Sequence, residues 1–428
     1  MAEVKPFPGL RFSLPLADVI APPYDVIGPE EQARLYARSP YNVIRLELGR
    51  EADRYAEARR CYAEWRQAGV LRQDEPSLYI YEQRFHTPGA GKLGGGPDQE
   101  GDRVRRGLFA RVKLEPWSAG VTLPHEETLT KPKADRLELL RAVQANVSPV
   151  FSLYDDPGGE LAVLMAEVAG RPPTAEATDE AGEAHRLWQV CESGFVSRVQ
   201  AFFAGKQLFI ADGHHRYETA LAYRDEVRTP AAGYVLMALI DFADPGLIVL
   251  PTHRLLSGLS PAQQRRLAER LGDYFEVRAA AEETSPKAIE AALRQLETTS
   301  VPAYALYGPT PGGLRVLALK PEWQSATFDS SHSEAWNKLD VAVLHAVLGR
   351  ILELGPEDLA SERYFGYTRD APAAVRQVQA GEAQLAVLLR PTPPTAIRDI
   401  ALARDKMPQK STYFYPKLAT GVVINPLS

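Results

Sequence analysis

The chain has 428 residues, of which 45% are hydrophobic and 24% are charged, and its formal net charge at pH 7 is −6. This composition is typical of a globular protein with two or three domains. The negative charge argues against a protein that coats nucleic acid, because such proteins present a basic face.

The two cysteines, Cys61 and Cys191, are too few for a disulfide framework or a cysteine-based zinc site. The residues after Met1 lack the charged and then apolar pattern of a secretory signal. The sequence has no run of about 18 apolar residues, so we expect no membrane span. These features predict a cytoplasmic protein.

The first 120 residues are predicted to form a mixed α/β segment. The double proline within 18–27 predicts an extended loop after a short strand. The alternation of apolar and polar residues over 42–48 predicts a half-buried strand. We further expect helices at 29–39 and 52–68 and strands at 77–85 and 104–114.

The glycine-rich segment 87–102 contains a G-x-G-x-x-G pattern from Gly89 to Gly94. A nucleotide-binding fingerprint of this kind opens a helix directly after a strand. Here two further glycines and Pro97 follow, so the pattern favours a hairpin loop.

Helical and strand patterns alternate over the rest of the chain, which predicts an α/β fold. The polar, proline-containing segment 171–183 is predicted to be a loop. Helices are expected at 134–145, 160–169, 194–204, 215–227, 261–271, 286–298 and 339–354. Strands are expected at 150–154, 187–190, around 209, and at 234–240, 274–278, 303–306, 314–319 and 385–389.

A dense polar cluster follows the apolar run that ends at Ile210. An Asp212-Gly213 turn leads directly into a helical pattern, so the helix begins with the three residues His214, His215 and Arg216. The first amide groups of a helix are unpaired and favour anions. The cluster therefore predicts a phosphate site with an acid, Asp212, beside it. The alternative is an ordinary strand–turn–helix with buried, hydrogen-bonded histidines.

A second cluster lies in the segment before the predicted helix at 134–145, where we expect an exposed loop. It places His125 next to Glu126 and Glu127. A glutamate can take the proton of an alcohol in a transfer reaction, and nearby cations can hold phosphate oxygens. The alternative is a solvated loop with acidic residues near a helix start. The cations of this cluster are Lys131, Lys133 and Arg136.

Two weaker clusters occur in the last part of the chain. His253 and Arg254 follow a short apolar run, so they are expected at a strand end. Lys410, Ser411 and Thr412 offer one positive charge and two hydroxyl groups, which can bind an anion. Equally, this polar and aromatic stretch could form a final edge strand.

The sequence predicts no metal held by histidines. Adjacent residues such as His214 and His215 point to different sides, and no third ligand follows at helical spacing. An Mg²⁺ ion would be held by substrate phosphates and one or two carboxylates such as Asp212. A serine hydrolase and a P-loop nucleotide hydrolase are disfavoured, because neither G-x-S-x-G nor G-x-x-x-x-G-K-[ST] occurs.

Six segments in order along the chain together resemble the family described as domain of unknown function 1015. They are APPYDVI (21–27), NVIRLEL (42–48), PHEETLTKPKADRLELLRA (124–142), ADGHHRYETAL (211–221), LPTHRLL (250–256) and MPQKSTYFYPKLATGVVINPL (407–427).

The PHE and DGHHR segments also resemble free-serine kinases of the ParB/sulfiredoxin-like fold. This resemblance implies that Glu126 is the base on the serine hydroxyl, that His125 is its neighbour, and that the residues from Asp212 to Arg216 bind the donor phosphates. Glu127 stays the alternative base. The implied fold is α/β, with a central ParB/sulfiredoxin-like mixed sheet at 121–258 between α/β segments at 1–120 and 259–428. The last segment is expected to return to this core.

The implied function is that of a small-molecule phosphotransferase that phosphorylates free L-serine. ATP, ADP or pyrophosphate would be the donor, with Mg²⁺ carried by the donor phosphates. A phosphatase or nucleotide hydrolase on the same site is one alternative. A ParB-like nucleotide-binding regulator is the other, against which the acidic charge argues. The sequence makes no prediction of oligomeric state.

Overall fold

The structure is a computed structural model that describes residues 1–87, 102–128, 130–308, 313–359, 361 and 363–427, with only the backbone at 130, 131 and 356. The G-x-G-x-x-G pattern lies outside the described residues. The chain divides into two compact units. The first consists of Met1–Phe85, Asp102–Ile248 and Pro416–Ser428, and the second of His86–Gly101 and Val249–Tyr415. The sequence boundaries at 120 and 258 stay a prediction.

The helices confirm most of the helical patterns of the sequence. Pro29, Pro261 and Pro286 each occupy a first helical position, which suits proline because the missing amide would have no partner there. The described helices are α1 (Leu16–Val19), α2 (Pro29–Arg38), α3 (Ile44–Glu47), α4 (Arg54–Gln67), α5 (Thr130–Val143), α6 (Glu160–Ala169), α7 (Ser193–Phe203), α8 (His214–Val227), α9 (Pro261–Tyr274), α10 (Pro286–Glu297), α11 (Glu334–Asn337), α12 (Asp340–Leu352), α13 (Pro356–Leu359), α14 (Ala371–Gln379) and α15 (Pro394–Leu402).

The strands confirm the predicted mixed α/β fold. They are β1 (Val4–Lys5), β2 (Leu10–Phe12), β3 (Leu71–Gln73), β4 (Leu78–His86), β5 (Asp102–Lys113), β6 (Thr122–Leu123), β7 (Ala145–Asn146), β8 (Val150–Tyr154), β9 (Ala175–Thr178), β10 (Ala184–Val190), β11 (Leu208–Asp212), β12 (Tyr234–Asp241), β13 (Ile248–Val249), β14 (His253–Leu256), β15 (Phe275–Ala281), β16 (Ala303–Tyr307), β17 (Leu314–Leu319), β18 (Phe365–Thr368), β19 (Leu385–Leu388), β20 (Phe414–Tyr415) and β21 (Asn425–Pro426).

A mixed sheet organises the first unit, in the order β6-β11-β8-β12-β5-β4-β10-β9, with β1 paired to β5 beside this path. β12 runs parallel to β8 and antiparallel to β5, while β11 is antiparallel to β8. β8 and β12 are almost continuously apolar and buried, as strands covered on both faces are. The carboxyl end of β11 leads directly into α8, which places the DGHHR turn at the edge of this core.

Three local predictions in the first unit are wrong. Residues 42–48 hold the short helix α3 instead of a half-buried strand, and its polar residue Glu47 is buried with Arg136. Residues 18–27 are not simply extended, because α1 enters them and Tyr24–Val26 forms a 3₁₀ turn. The predicted loop 171–183 contains β9, which pairs with β10 in a hairpin.

An antiparallel sheet in the order β15-β17-β16-β19-β14-β18 organises the second unit. Buried leucines and valines cover it, with α9 and α12 contributing to one cluster and α10 and α14 to another. His253 and Arg254 were expected to follow a strand. They do lie at a strand end, but they are the first two residues of β14. No helix among the described residues is long and apolar enough to cross a membrane.

Candidate functional site

The turn between β11 and α8 requires glycine. Gly213 has φ +91°, in the left-handed region that side chains disfavour. A Cβ atom at this position would lie 2.9 Å from Nε of Arg216. The guanidinium therefore folds back over the glycine at the first turn of the helix.

Asp212 is held by two cations. Arg216 donates from Nη2 to Oδ2 at 2.7 Å, and Lys417 donates from Nζ to Oδ1 at 2.8 Å. The guanidinium also donates to the carbonyl of Pro149. Burial alone would raise the pKa of Asp212, but Lys417 and Arg216 together bring it well below its ordinary range. The cluster of two cations and one carboxylate has a net charge of +1.

Lys417 is a site residue that the sequence reasoning missed. It lies 205 positions from Asp212 in the chain, and no local spacing connects the two. The signal in the sequence was the second of two lysines within the C-terminal segment 407–427 that carries the family resemblance. The lysine side chain is only 12% exposed, so the contact with Asp212 is an enclosed one.

The PHE segment packs against the start of α8. The backbone amide of His125 donates to Nε2 of His214 at 3.3 Å, so the proton of the His214 ring lies on Nδ1. That Nδ1 atom lies 3.7 Å from Oε2 of Glu126. His125 Nδ1 donates to the carbonyl of Ile210 at 2.8 Å, and the two imidazole rings meet edge to face. Two motifs that are distant in the sequence thus form one cluster.

The expectation of an exposed loop is wrong for His125, which is 1% exposed. Its ring bonds to the strand β11, which is why it is buried. The side chain of Glu126 is 38% exposed, so the carboxylate faces both His214 and solvent. Glu127 is exposed and has no hydrogen-bond or ion-pair partner within the part of the chain that the structure describes.

On the next turn of α8, Glu218 accepts hydrogen bonds from Thr128 Oγ1 at 2.5 Å and from Lys133 Nζ at 3.0 Å. Lys133 is therefore anchored beside the cluster by an ion pair. Burial lowers the pKa of His215, and Glu218 opposes that shift. The side chain of Lys131 lies outside the described residues.

The APPYDVI segment also reaches this region. The Tyr24 ring lies 4.1 Å from the guanidinium of Arg136. Burial raises the pKa of the Tyr24 hydroxyl to about 12, against the opposing charges of Arg216 and Arg136. Arg136 is itself buried in an ion pair with Glu47 at 3.2 Å, so its charge is already balanced. A small cavity of about 50 Å³ lies between Arg216 and this pair.

The remaining predicted site residues belong to the second unit. His253 is buried, and its Nδ1 accepts from the amide of Leu389 at 3.1 Å. Arg254 is buried and donates to the carbonyls of Gln409 and Lys410, both at 3.2 Å. Ser411 donates to the carbonyl of Pro408. The roles of His253, Arg254, Lys410, Ser411 and Thr412 in ligand binding stay predictions.

A comparison with family models matches residues 4–342 to the family described as protein of unknown function, DUF1015. The chain belongs to this family. The expected family membership is therefore confirmed. No curated protein matches the chain.

Several solved structures are similar to this chain at low sequence identity. A free serine kinase variant in complex with AMP is 12% identical, with a TM-score of 0.36 over 72% of this chain and 87% of that chain. A conserved hypothetical protein from Pyrococcus furiosus is 13% identical, with a TM-score of 0.35 over 74% and 93%. SbnI from Staphylococcus aureus, solved with a C-terminal truncation, is 9% identical, with a TM-score of 0.36 over 73% and 85%. The ParB/sulfiredoxin-like label of the central sheet stays a prediction.

Proposed function

We propose that the first unit carries a small-molecule phosphotransferase site, with free L-serine as the acceptor. The observation that carries this proposal is the approach of Glu126 Oε2 to Nδ1 of His214, 3.7 Å apart. This approach brings together two features of the site. One is a carboxylate that is able to accept a proton, and the other is the start of α8, which is suited to binding phosphate. The choice of serine rests on the resemblance of the two motifs to free-serine kinases.

The start of α8 supports binding of the donor phosphates. Its first amide groups and the helix dipole favour negative charge. Arg216 and Lys417 add two positive charges, of which Asp212 balances one. Asp212 acts here as the group that orients both cations. A phosphate oxygen would gain charge-assisted hydrogen bonds from this cluster.

Glu126 supports the proton transfer. In the proposed step the acceptor hydroxyl gives its proton to the Glu126 carboxylate, while its oxygen bonds to the terminal phosphorus of the donor. The bond from that phosphorus to the bridging oxygen breaks, and the shortened donor leaves with the electron pair. Nδ1 of His214 lies 3.7 Å from the Glu126 carboxylate, and Glu127 has no such neighbour in the described part of the chain.

Mg²⁺ would neutralise the donor phosphates when bound. Asp212, the carboxylate expected to help hold it, has both oxygens in ion pairs. The residues at this turn therefore do not fit a directly held Mg²⁺, and the ion would come with the donor.

The test is an end-point assay of the purified protein with Mg²⁺ and L-serine, given ATP, ADP or pyrophosphate in turn. Mass spectrometry should detect O-phosphoserine with one of these donors. Release of phosphate without phosphoserine would replace the proposal by a hydrolase. Absence of both products, together with nucleotide-dependent and salt-sensitive DNA binding, would replace it by a regulator.

A further inference from the structure

A set of buried polar side chains holds the backbone that carries Lys417. Arg105, on β5, donates from Nη2 to the carbonyl of Pro416 at 2.6 Å. Gln83, on β4, donates from Nε2 to the carbonyl of Lys417 at 3.0 Å. The guanidinium of Arg105 also donates to Oε1 of Gln83, which joins the two.

A further buried polar side chain, Tyr81, lies two residues before Gln83 on β4. Burial raises the pKa of the Tyr81 hydroxyl, and the backbone of Ala419 opposes this shift. The hydroxyl also lies 2.7 Å from Nδ1 of His185, whose Nε2 lies 3.3 Å from Asp179. Two side chains of the central sheet, Arg105 and Gln83, thus bind the carbonyl groups of two successive residues, Pro416 and Lys417.

The burial of this set is unusual for groups of its polarity. Arg105 is 1% exposed and Gln83 is fully buried. Burial lowers the pKa of the Arg105 guanidinium to about 10, and the guanidinium carbon lies 5.1 Å from the centre of the Phe151 ring. Burying a charge is costly unless its hydrogen bonds are well made. Here two of these bonds end at Gln83 and at the carbonyl of Pro416, so the burial of the cation depends on this segment.

The consequence for the site is geometric. A lysine side chain has four flexible torsions, so a fixed contact at its end requires a fixed backbone at its base. The hydrogen bonds to Pro416 and Lys417 supply that fixed base. The Nζ atom then reaches Asp212, which in turn orients Arg216.

We propose that Gln83 and Arg105 are positioning residues that fix Lys417 on Asp212. The contact with Asp212 does not depend on the proposed function, whereas the effect on donor binding rests on it. The two parts are therefore tested separately.

The first test measures the reactivity of Lys417 toward an amine-labelling reagent by mass spectrometry, in the full chain without ligand. The variant is Gln83→Glu, which keeps an acceptor for Arg105 but has no donor for the carbonyl of Lys417. Loss of one hydrogen bond should raise the labelling rate of Lys417 by about two- to tenfold. Lys206, which donates to the carbonyl of Asp155, is the internal reference.

The matched control is Arg111→Met. Arg111 also lies on β5 and also bonds to the C-terminal segment, at Oδ1 of Asn425, but not near Lys417. Its labelling pattern at Lys417 should equal that of the unmodified protein. Equal reactivity of Lys417 in Gln83→Glu and the unmodified protein would overturn the proposal, and so would an equal rise in Arg111→Met.

A second variant, Arg105→Lys, keeps the proposal testable if Gln83→Glu does not fold. It keeps a positive charge at this position but loses the forked geometry of the guanidinium. It should also raise the reactivity of Lys417, and an unchanged rate in a folded Arg105→Lys protein would overturn the role of Arg105. Where phosphotransfer is measurable, both variants should raise the KM for the donor more than they lower kcat. Labelling requires no activity, so a silent kinase assay would contradict only the proposed function.

Discussion

Gly213→Ala is the sharpest test of how the proposed anion site is built. Alanine at φ +91° strains the backbone by about 1–3 kcal/mol. The new Cβ would also lie 2.9–3.0 Å from three atoms of the Arg216 guanidinium. The side chain can move away, but only by leaving its position at Asp212.

The size of the functional effect follows from that displacement. Hydrogen bonds to charged groups contribute about 1.5–3 kcal/mol, which corresponds to roughly 10- to 150-fold in binding. We therefore expect Gly213→Ala to weaken the binding of pyrophosphate or ATP by at least tenfold. Isothermal calorimetry measures the binding, and urea unfolding measures the loss of stability.

Gly159→Ala is the matched control. Gly159 has φ +65° and directly precedes α6, but a Cβ there would meet no atom within 4 Å. Its strain should cost about 1–2 kcal/mol of stability, with no change in anion binding. Equal anion binding by the two variants would refute the role of the Arg216 contact.

Three further predictions concern charge and pH. Lys417→Met should lower the free energy of unfolding at neutral pH, as measured by urea unfolding. The difference in this free energy from the unmodified protein should shrink as pH falls below about 4. The reason is that the lowered pKa of Asp212 stabilises the fold only while the carboxylate of the unfolded chain is ionised. Burial and the Arg254 charge lower the pKa values of His253 and His345 from 6.5 to about 3. The unfolded chain therefore takes up protons at these histidines before the folded protein does, so the free energy of unfolding should decrease as pH falls from about 6.5 to about 3. His345→Leu should flatten this dependence in the same measurement, and an unchanged slope would contradict it. Lys133→Met should change the free energy of unfolding by less than about 1 kcal/mol, because its ion pair is partly exposed.

The sequence predicted the elements whose pattern is local. β8 and α6 match their predicted ranges, since a short apolar run and a helical spacing were enough. The turn at Gly213 was predicted because the strand, the turn and the helix start adjoin each other. The mixed α/β fold followed from the alternation of such elements.

The features that the sequence did not predict depend on contacts between residues far apart in the chain. Residues 42–48 alternate like a strand, yet Glu47 is buried because Arg136 and Ser148 bond to it from about 90 to 100 positions away. Lys417 reaches Asp212 from a segment whose backbone bonds to β4 at Lys417 and to β5 at Pro416, which no local spacing shows. His125 is buried for the same kind of reason, through its bond to Ile210.

The central claim is that the carboxylate beside His214 takes the acceptor proton. The most direct test compares Glu126→Gln with Glu127→Gln in the donor and serine assay. A general base contributes about 10²–10⁴-fold, so Glu126→Gln should lose that factor in kcat and keep its donor affinity. Glu127→Gln should stay within about threefold of the unmodified protein, since such a change is well below the effect of a base. A Glu126→Gln rate within the same narrow range, or the larger loss in Glu127→Gln, would contradict the account.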